Sequence, residues 1–370
     1  MSVLAIQDFS IVQRALTLCG LAPALLIGAG VHSQEVPHNL VPPSYRVTMS
    51  LPPAPRPLPV APAPAMLQSS IATLARNFGG VVGVSVRSLD AGWQVDANGA
   101  RRMPQQSVSK LWVAMTVLDA RDRGQLTLDD PVTLTRENLT VFHQPIAALV
   151  VKDGVYRTTV RELLLRAMQQ SDNTANDRLL HLVGGPEAVR AFIRDKGLGD
   201  IRFGPGERLL QAGTAGLEWR PEYSVGRAFY QARAALSPTV RRAAFNAYVA
   251  DPPDGAAPAA IALALARLKA GEVLSPSSSR WLMTVMEASR TGKFRLRGAV
   301  PPGWSFGHKT GTGQNLGGRT AGYNDVGILT APDGKAYSIA VMIGDTPRTI
   351  KERQELMQAV VAAVVANHQL

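Results

Sequence analysis

Cysteine is nearly absent from this chain. The 370 residues hold one, Cys19, inside an N-terminal apolar segment. If that segment is removed, the product has no disulfide and no thiol chemistry. Leu18, just before Cys19, is too large for a good lipoprotein cleavage site. Histidines are few, and His143, His181 and His308 have no metal-ligand spacing, so no metal site and no cofactor is expected. Acidic residues are outnumbered 28 to 39, leaving a formal charge of +11. Yet no block of five or more basic residues occurs, and the arginines are spread along the whole chain, which argues against a nucleic-acid partner. Lysine is the scarce cation, 8 against 31 arginines. A lysine in a motif-like stretch such as "FGHKTGTGQN" (Phe306 to Asn315) therefore calls for an explanation.

No uninterrupted run is long enough for a comfortable membrane span. Ala15 to Val31 is apolar but carries Gly20, Pro23, Gly28 and Gly30. With Arg14 in front and Val31-His32-Ser33 behind, residues 1–33 read as an export signal, although Asp8 and the late start of the apolar run are imperfect. The expectation is a periplasmic or secreted protein with no stable membrane span after cleavage. At +11 it would meet anionic cell-wall polymers and lipid surfaces. Residues 34–65 are a proline-laden, polyproline-like linker.

The globular part is expected from Met66. With 46% apolar and 18% charged residues the chain can build a sizeable core. A helix over Met66–Asn77 leads into the strand "VVGVSVRSL", the turn "DAG" and the returning strand "WQVDA". From Ser107 to Arg290 helical periodicity prevails: Leu111–Arg123, Val160–Met168, Thr174–Leu182 and Pro186–Lys196. Strands return after Trp304 with "DVGILTA", the turn "PDGK" and "AYSIAVMIG", and an amphipathic helix runs from Arg348 to His368. This order predicts an α+β fold: an antiparallel sheet made from both ends of the domain and flanked by helices (66–104 and 290–370), with an all-helical block (105–289) inserted between.

Three short motifs can carry chemistry. "SVSK" sets Ser107 and Lys110 three residues apart, on one face of a helix. That spacing suits a serine whose proton passes to a neutral amine. Burial and a second cation can neutralise a lysine, whereas an arginine stays charged. "SDN" supplies Ser171, Asp172 and Asn173; Asp172 or Ser171 would also cap the helix that follows. "KTG" supplies Lys309, Thr310 and Gly311, followed by Thr312.

Ser-x-x-Lys, Ser-Asp-Asn and Lys-Thr-Gly in this order resemble the motifs of the serine β-lactamase and DD-peptidase superfamily, and of class A β-lactamases in particular. The resemblance extends from Met66 to the C-terminus and includes "TVRELLLRAMQQSDNTANDRLLHLVGGPEAVRAFIRDKG". It implies that Ser107 attacks a β-lactam carbonyl, that Lys110 or Glu207 through a water takes the proton, and that Ser171 relays a proton to the leaving nitrogen. The backbone N–H groups of Ser107 and Thr312 would form the oxyanion hole. Asn173 would bind the substrate amide, and Lys309, Thr310 and Thr312 its carboxylate. Arg295 matches an arginine some members use for the same carboxylate; surface packing is the alternative. "GPGERLLQAG" places Glu207 at the family's distance from Ser171, with Leu210 and Gln211. Glu207 would direct water at the acyl-enzyme.

The chain departs from the family pattern in three places. Gln211 stands where the family has Asn. Pro205 takes a position of the arginine that braces the loop. More residues separate Glu207 from Lys309 than in the family, and the surplus is expected within 213–255, where "EYSVGRAFYQARAAL" and "SPTVRRAAFNAYVA" read as two amphipathic helices. These would form a hairpin on the helical block, a lid or a dimer contact. The alternatives to a β-lactamase are a DD-peptidase acting on peptidoglycan and a penicillin-binding sensor that stays acylated.

Overall fold

The computed structural model describes residues 61–368. The expected signal at 1–33 and most of the 34–65 linker lie outside the described residues. A five-stranded antiparallel sheet is made from both ends of the domain: β1 (Val81–Ser88), β2 (Gln94–Ala97), β3 (Ser305–Thr312), β4 (Tyr323–Thr330) and β5 (Ala336–Asp345). Their spatial order is β2-β1-β5-β4-β3, so β3 is an edge strand. Strand periodicity decides which face each residue serves. Val82, Val84 and Val86 join Ile339, Val341 and Ile343 on the face covered by the helices Ala65–Asn77 and Ile350–Ala366. Ala340 and Met342, with Val326 and Ile328, point to the other face, against the helix Pro258–Lys269. Each of the larger aliphatic side chains, fully buried, contributes about 1.5–3 kcal/mol.

The C-terminal helix starts at Ile350 because Thr349 and Glu352 form a reciprocal capping box. In the helical block, the helix Lys110–Asp122 is buried from Lys110 to Ala120 and forms its axis. The block also carries a two-stranded ribbon, Pro131–Thr135 with Val155–Thr159, which helical periodicity does not announce. The segment 222–236 is not one continuous helix. A short turn at Pro221–Ser224 is followed by the helix Ala228–Ala235, and Gly226 between them lies at φ +65°. The second helix of this pair, Pro238–Ala250, is capped by Ser237. Both lie in the segment between Glu207 and Asp254, and a short bridge of Met103–Pro104 with Gly255–Ala256 follows them.

Candidate active site

Ser107 sits in a one-turn 3-10 helix, Gln106–Ser109, that runs directly into the helix starting at Lys110. Gln106 enters it at φ +53°, a conformation a non-glycine residue adopts only when its surroundings enforce it. They do so here. The Gln106 N–H donates to Asp254 Oδ2 (2.8 Å), and the Gln105 amide donates to the carbonyls of Arg202 (2.8 Å) and Asp254 (2.5 Å). Gln105 in turn accepts from the Trp112 indole at 2.6 Å. The serine is thus mounted on a cross-braced corner.

The Ser107–Lys110 spacing has its expected result. Lys110 Nζ, fully buried, donates to Ser107 Oγ (2.7 Å), to Asn173 Oδ1 (2.9 Å) and to Glu207 Oε1. Asn173 reaches this point because Asp172 caps its helix, accepting from the N–H groups of Ala175 (2.9 Å) and Ile146 (2.7 Å). Burial raises the Asp172 carboxyl above its ordinary range. Ser171, one residue earlier, is held at φ +61°.

Glu207 begins the helix Glu207–Ala215, entered through Gly206 at φ +96°. A side chain at Gly206 would also meet Leu180, about 3.2 Å from its Cβ. The buried Glu207 carboxylate contacts Lys110 on one oxygen and accepts from Gln211 Nε2 (3.2 Å) on the other. Gln211 also donates to Gln106 Oε1 (3.0 Å), joining the carboxylate to the corner that carries Ser107. The Glu207 N–H donates to Asp177 Oδ1 (3.0 Å). Burial, and then the Glu207 charge, push the Asp177 carboxyl up to about 6.

Across the cleft, the edge strand β3 presents Lys309, Thr310 and Thr312. Lys309 Nζ, fully buried, donates to Ser171 Oγ (2.9 Å) and to the Thr310 carbonyl (3.0 Å). Burial first, then Lys110 and Arg295, hold its ammonium well below the ordinary lysine range. Thr310 Oγ1 meets Thr291 Oγ1 at 2.8 Å. Arg295 is not a surface residue. It donates to the carbonyls of Gly311 (2.9 Å) and Asn324 (2.6 Å) and to Thr312 Oγ1 (2.5 Å), and lies 3.8 Å from the Tyr323 ring centroid. At Gly311 a Cβ would come within 2.3 Å of the Gln105 carbonyl, so only glycine lets the strand approach the Ser107 turn.

These residues meet at a cleft of about 510 Å³ whose wall includes Ser107, Ser171, Asn173, Gln211, Thr310 and Thr312, with Arg295. Lys110, Lys309 and Glu207 lie beneath that surface. Among the described residues no cluster of three or more His, Cys, Asp or Glu side chains is placed to hold a metal. His308 bonds Asp325 inside the sheet through Nδ1 (2.7 Å), and His143 and His181 contact backbone carbonyls.

Sequence reasoning passed over Gln106, Asp177, Tyr248 and Asp254. Tyr248, on the helix Pro238–Ala250, donates its hydroxyl to Asp254 Oδ1 (3.0 Å) and accepts from Gln106 Nε2 (2.5 Å). Burial raises both groups, Asp254 to about 6 and the Tyr248 phenol well above its ordinary range. The segment around Pro205 is held on one side by the Arg202 carbonyl, which accepts from Gln105, and on the other by the Glu207 N–H, which donates to Asp177.

A serine hydroxyl bonded to a buried lysine, beside a carboxylate and facing a sheet edge that carries a second lysine, is the arrangement of a serine acyl-transfer enzyme. The model of the β-lactamase enzyme family matches residues 66–368. The extended-spectrum β-lactamase PER-1 of Pseudomonas aeruginosa is 27% identical over 80% of this chain and 85% of its own length. Toho-1 β-lactamase of Escherichia coli is 27% identical over 81% and 88%. The crystal structure of a β-lactamase from Chitinophaga pinensis DSM 2588 superposes with a TM-score of 0.66 at 28% identity, covering 80% of this chain and 97% of that one. The chain belongs to the β-lactamase enzyme family.

Proposed function

We propose that this β-lactamase opens the lactam amide through a covalent ester on Ser107. The observation that carries the reading is the junction at Lys110, where one ammonium touches Ser107, Asn173 and Glu207. Ser107 Oγ attacks the carbonyl carbon while its proton passes to Glu207 through a water, or to Lys110 once that amine has given up its own proton. The developing oxyanion is held by the N–H groups of Ser107 and Thr312, each such donor contributing about 3 kcal/mol to the transition state. The C–N bond then breaks, and the nitrogen takes a proton by way of Ser171, whose hydroxyl is bonded to Lys309. A water deprotonated by Glu207 attacks the ester, and the proton returns to Ser107 as the acid departs. Asn173 and Gln211 face the substrate amide side, while Lys309, Thr310, Gly311, Thr312 and Arg295 form the subsite for the ring carboxylate.

The burial of Glu207 against Lys110 favours turnover over a standing acyl-enzyme, and so a β-lactamase over a penicillin-binding sensor or DD-peptidase. The composition of residues 1–33 supports export, to the periplasm or outside the cell. Among the described residues no helix is long and apolar enough to cross a membrane. The +11 charge would favour contact with anionic cell-wall polymers. The test is purified protein with a chromogenic cephalosporin. Multiple turnovers, lost in Ser107→Ala, are expected; a single stoichiometric burst, or activity in the variant, would overturn the reading.

A further inference from the structure

We propose that Arg233 is a specificity-determining residue that binds a second anionic group of the substrate, a carboxylate or sulfonate on its acyl side chain. The inference rests on the β-lactamase reading and extends it to the segment between Glu207 and Asp254. Arg233 lies on the helix Ala228–Ala235, yet lines the same cleft as Ser107. Its Nη1 donates to Gln314 Oε1 at 2.9 Å, and its guanidinium lies 5.8 Å from the Tyr230 ring centroid. The helix is seated by Phe229, which is buried and meets Phe142 edge-on at 4.9 Å.

Three observations point to a ligand. Arg233 is half-buried, and among the described residues no carboxylate pairs with it. Burial and then the nearby Arg241 both work against its charge, so a bound anion relieves an unfavourable environment. Its tether is neutral: Gln314 accepts from Arg233 while its own amide donates to the Gln211 carbonyl (2.8 Å) and to Gln211 Oε1 (3.1 Å). The guanidinium is therefore oriented but uncompensated, and its planar fork suits a bidentate anion. Arg295 reaches the cleft from another element and is tied to Thr312 and the Gly311 carbonyl. The two arginines thus serve different parts of a substrate: Arg295 with Lys309 the ring carboxylate, Arg233 the side of the cleft bounded by Gln211 and Gln314.

The experiment compares benzylpenicillin with its α-carboxy derivative, which differ by one carboxylate, on wild-type protein, Arg233→Gln and Arg233→Lys. The ratio of kcat/KM for the carboxylated over the parent penicillin should fall about ten- to a hundredfold in Arg233→Gln, mainly through KM. Arg233→Lys should recover much of the ratio, and added salt should lower it in the wild type. An unchanged ratio in Arg233→Gln, or equal loss on both penicillins, would overturn the role of Arg233 alone. Wild-type protein inert towards both would overturn the β-lactamase reading, and this one with it. Thermal melts of the variants confirm that the comparison is between folded proteins, and a ratio that follows stability rather than charge across the two variants also counts against the proposal.

Discussion

Lys309 Nζ donates to Ser171 Oγ across 2.9 Å, joining the edge strand of the sheet to the turn between the helical segments Arg166–Gln170 and Asn173–Leu182 in the opposite block. The ammonium is fully buried, and burial, Lys110 and Arg295 all hold its pKa down. A lysine suits this position in an arginine-rich chain for two reasons. It is compact enough to reach both Ser171 and the Thr310 carbonyl, and its charge yields to its surroundings.

Lys309→Arg should therefore impair turnover although it conserves charge. The planar guanidinium displaces Ser171 or β3, and a shift of about 1 Å can cost about a hundredfold in rate. A fall of kcat/KM by about that factor on a penicillin is expected. Wild-type kcat/KM in the variant would refute the role given to Lys309.

Tyr248→Phe tests whether the helix Pro238–Ala250 supports the turn that carries Ser107. The hydroxyl bonds Asp254, which accepts from the Gln106 N–H next to Ser107. Its loss leaves buried polar groups short of a partner, at a cost of about 1–3 kcal/mol, read as a melting temperature several degrees lower. Because Gln106 is strained at φ +53°, kcat/KM should fall about tenfold as well. Lower stability with unchanged kcat/KM would reduce the cluster to a structural anchor.

The buried carboxyl of Asp177 makes stability depend on pH. Burial and Glu207 raise it from 3.8 to about 6, so between about pH 4 and 6 the folded protein keeps a proton that the unfolded chain has released. This contribution is full below about pH 4, declines as pH rises to about 6, and is absent above it. Asp254, also raised to about 6, acts in the same direction. Asp177→Asn keeps an oxygen for the Glu207 N–H but carries no charge. The variant should melt a few degrees above the wild type at pH 7, with a smaller difference between pH 4.5 and 7. A variant less stable than the wild type at pH 7 would contradict this.

What the chain disclosed in advance follows from which interactions are local. Ser107 and Lys110 meet because a helical turn brings residues three apart together, and Asp172 caps the helix it precedes. Four strands of the sheet read from the sequence as apolar stretches bounded by turn residues, but Ser305–Thr312, rich in glycine and threonine, does not. The bonds from Gln106 to Asp254 and Tyr248, from Glu207 to Asp177, and from Arg233 to Gln314 span loops and helices that periodicity does not relate. Arg233 reads as one more polar residue on an amphipathic helix, and only the seating of Phe229 against Phe142 turns it to the cleft. Asp177 reads as an ordinary helix carboxylate until Glu207 arrives above it.

Intact mass of Glu207→Gln after mixing with a penicillin tests the central claim most directly. The variant keeps Ser107, Lys110 and the hydroxyl of Ser171, so the ester should form. Without the carboxylate that activates water, its hydrolysis should slow by about 10²–10⁴-fold. The account predicts a long-lived adduct of one penicillin per protein, mapping to Ser107. Hydrolysis at the wild-type rate with no adduct, or an adduct on another residue, would contradict it.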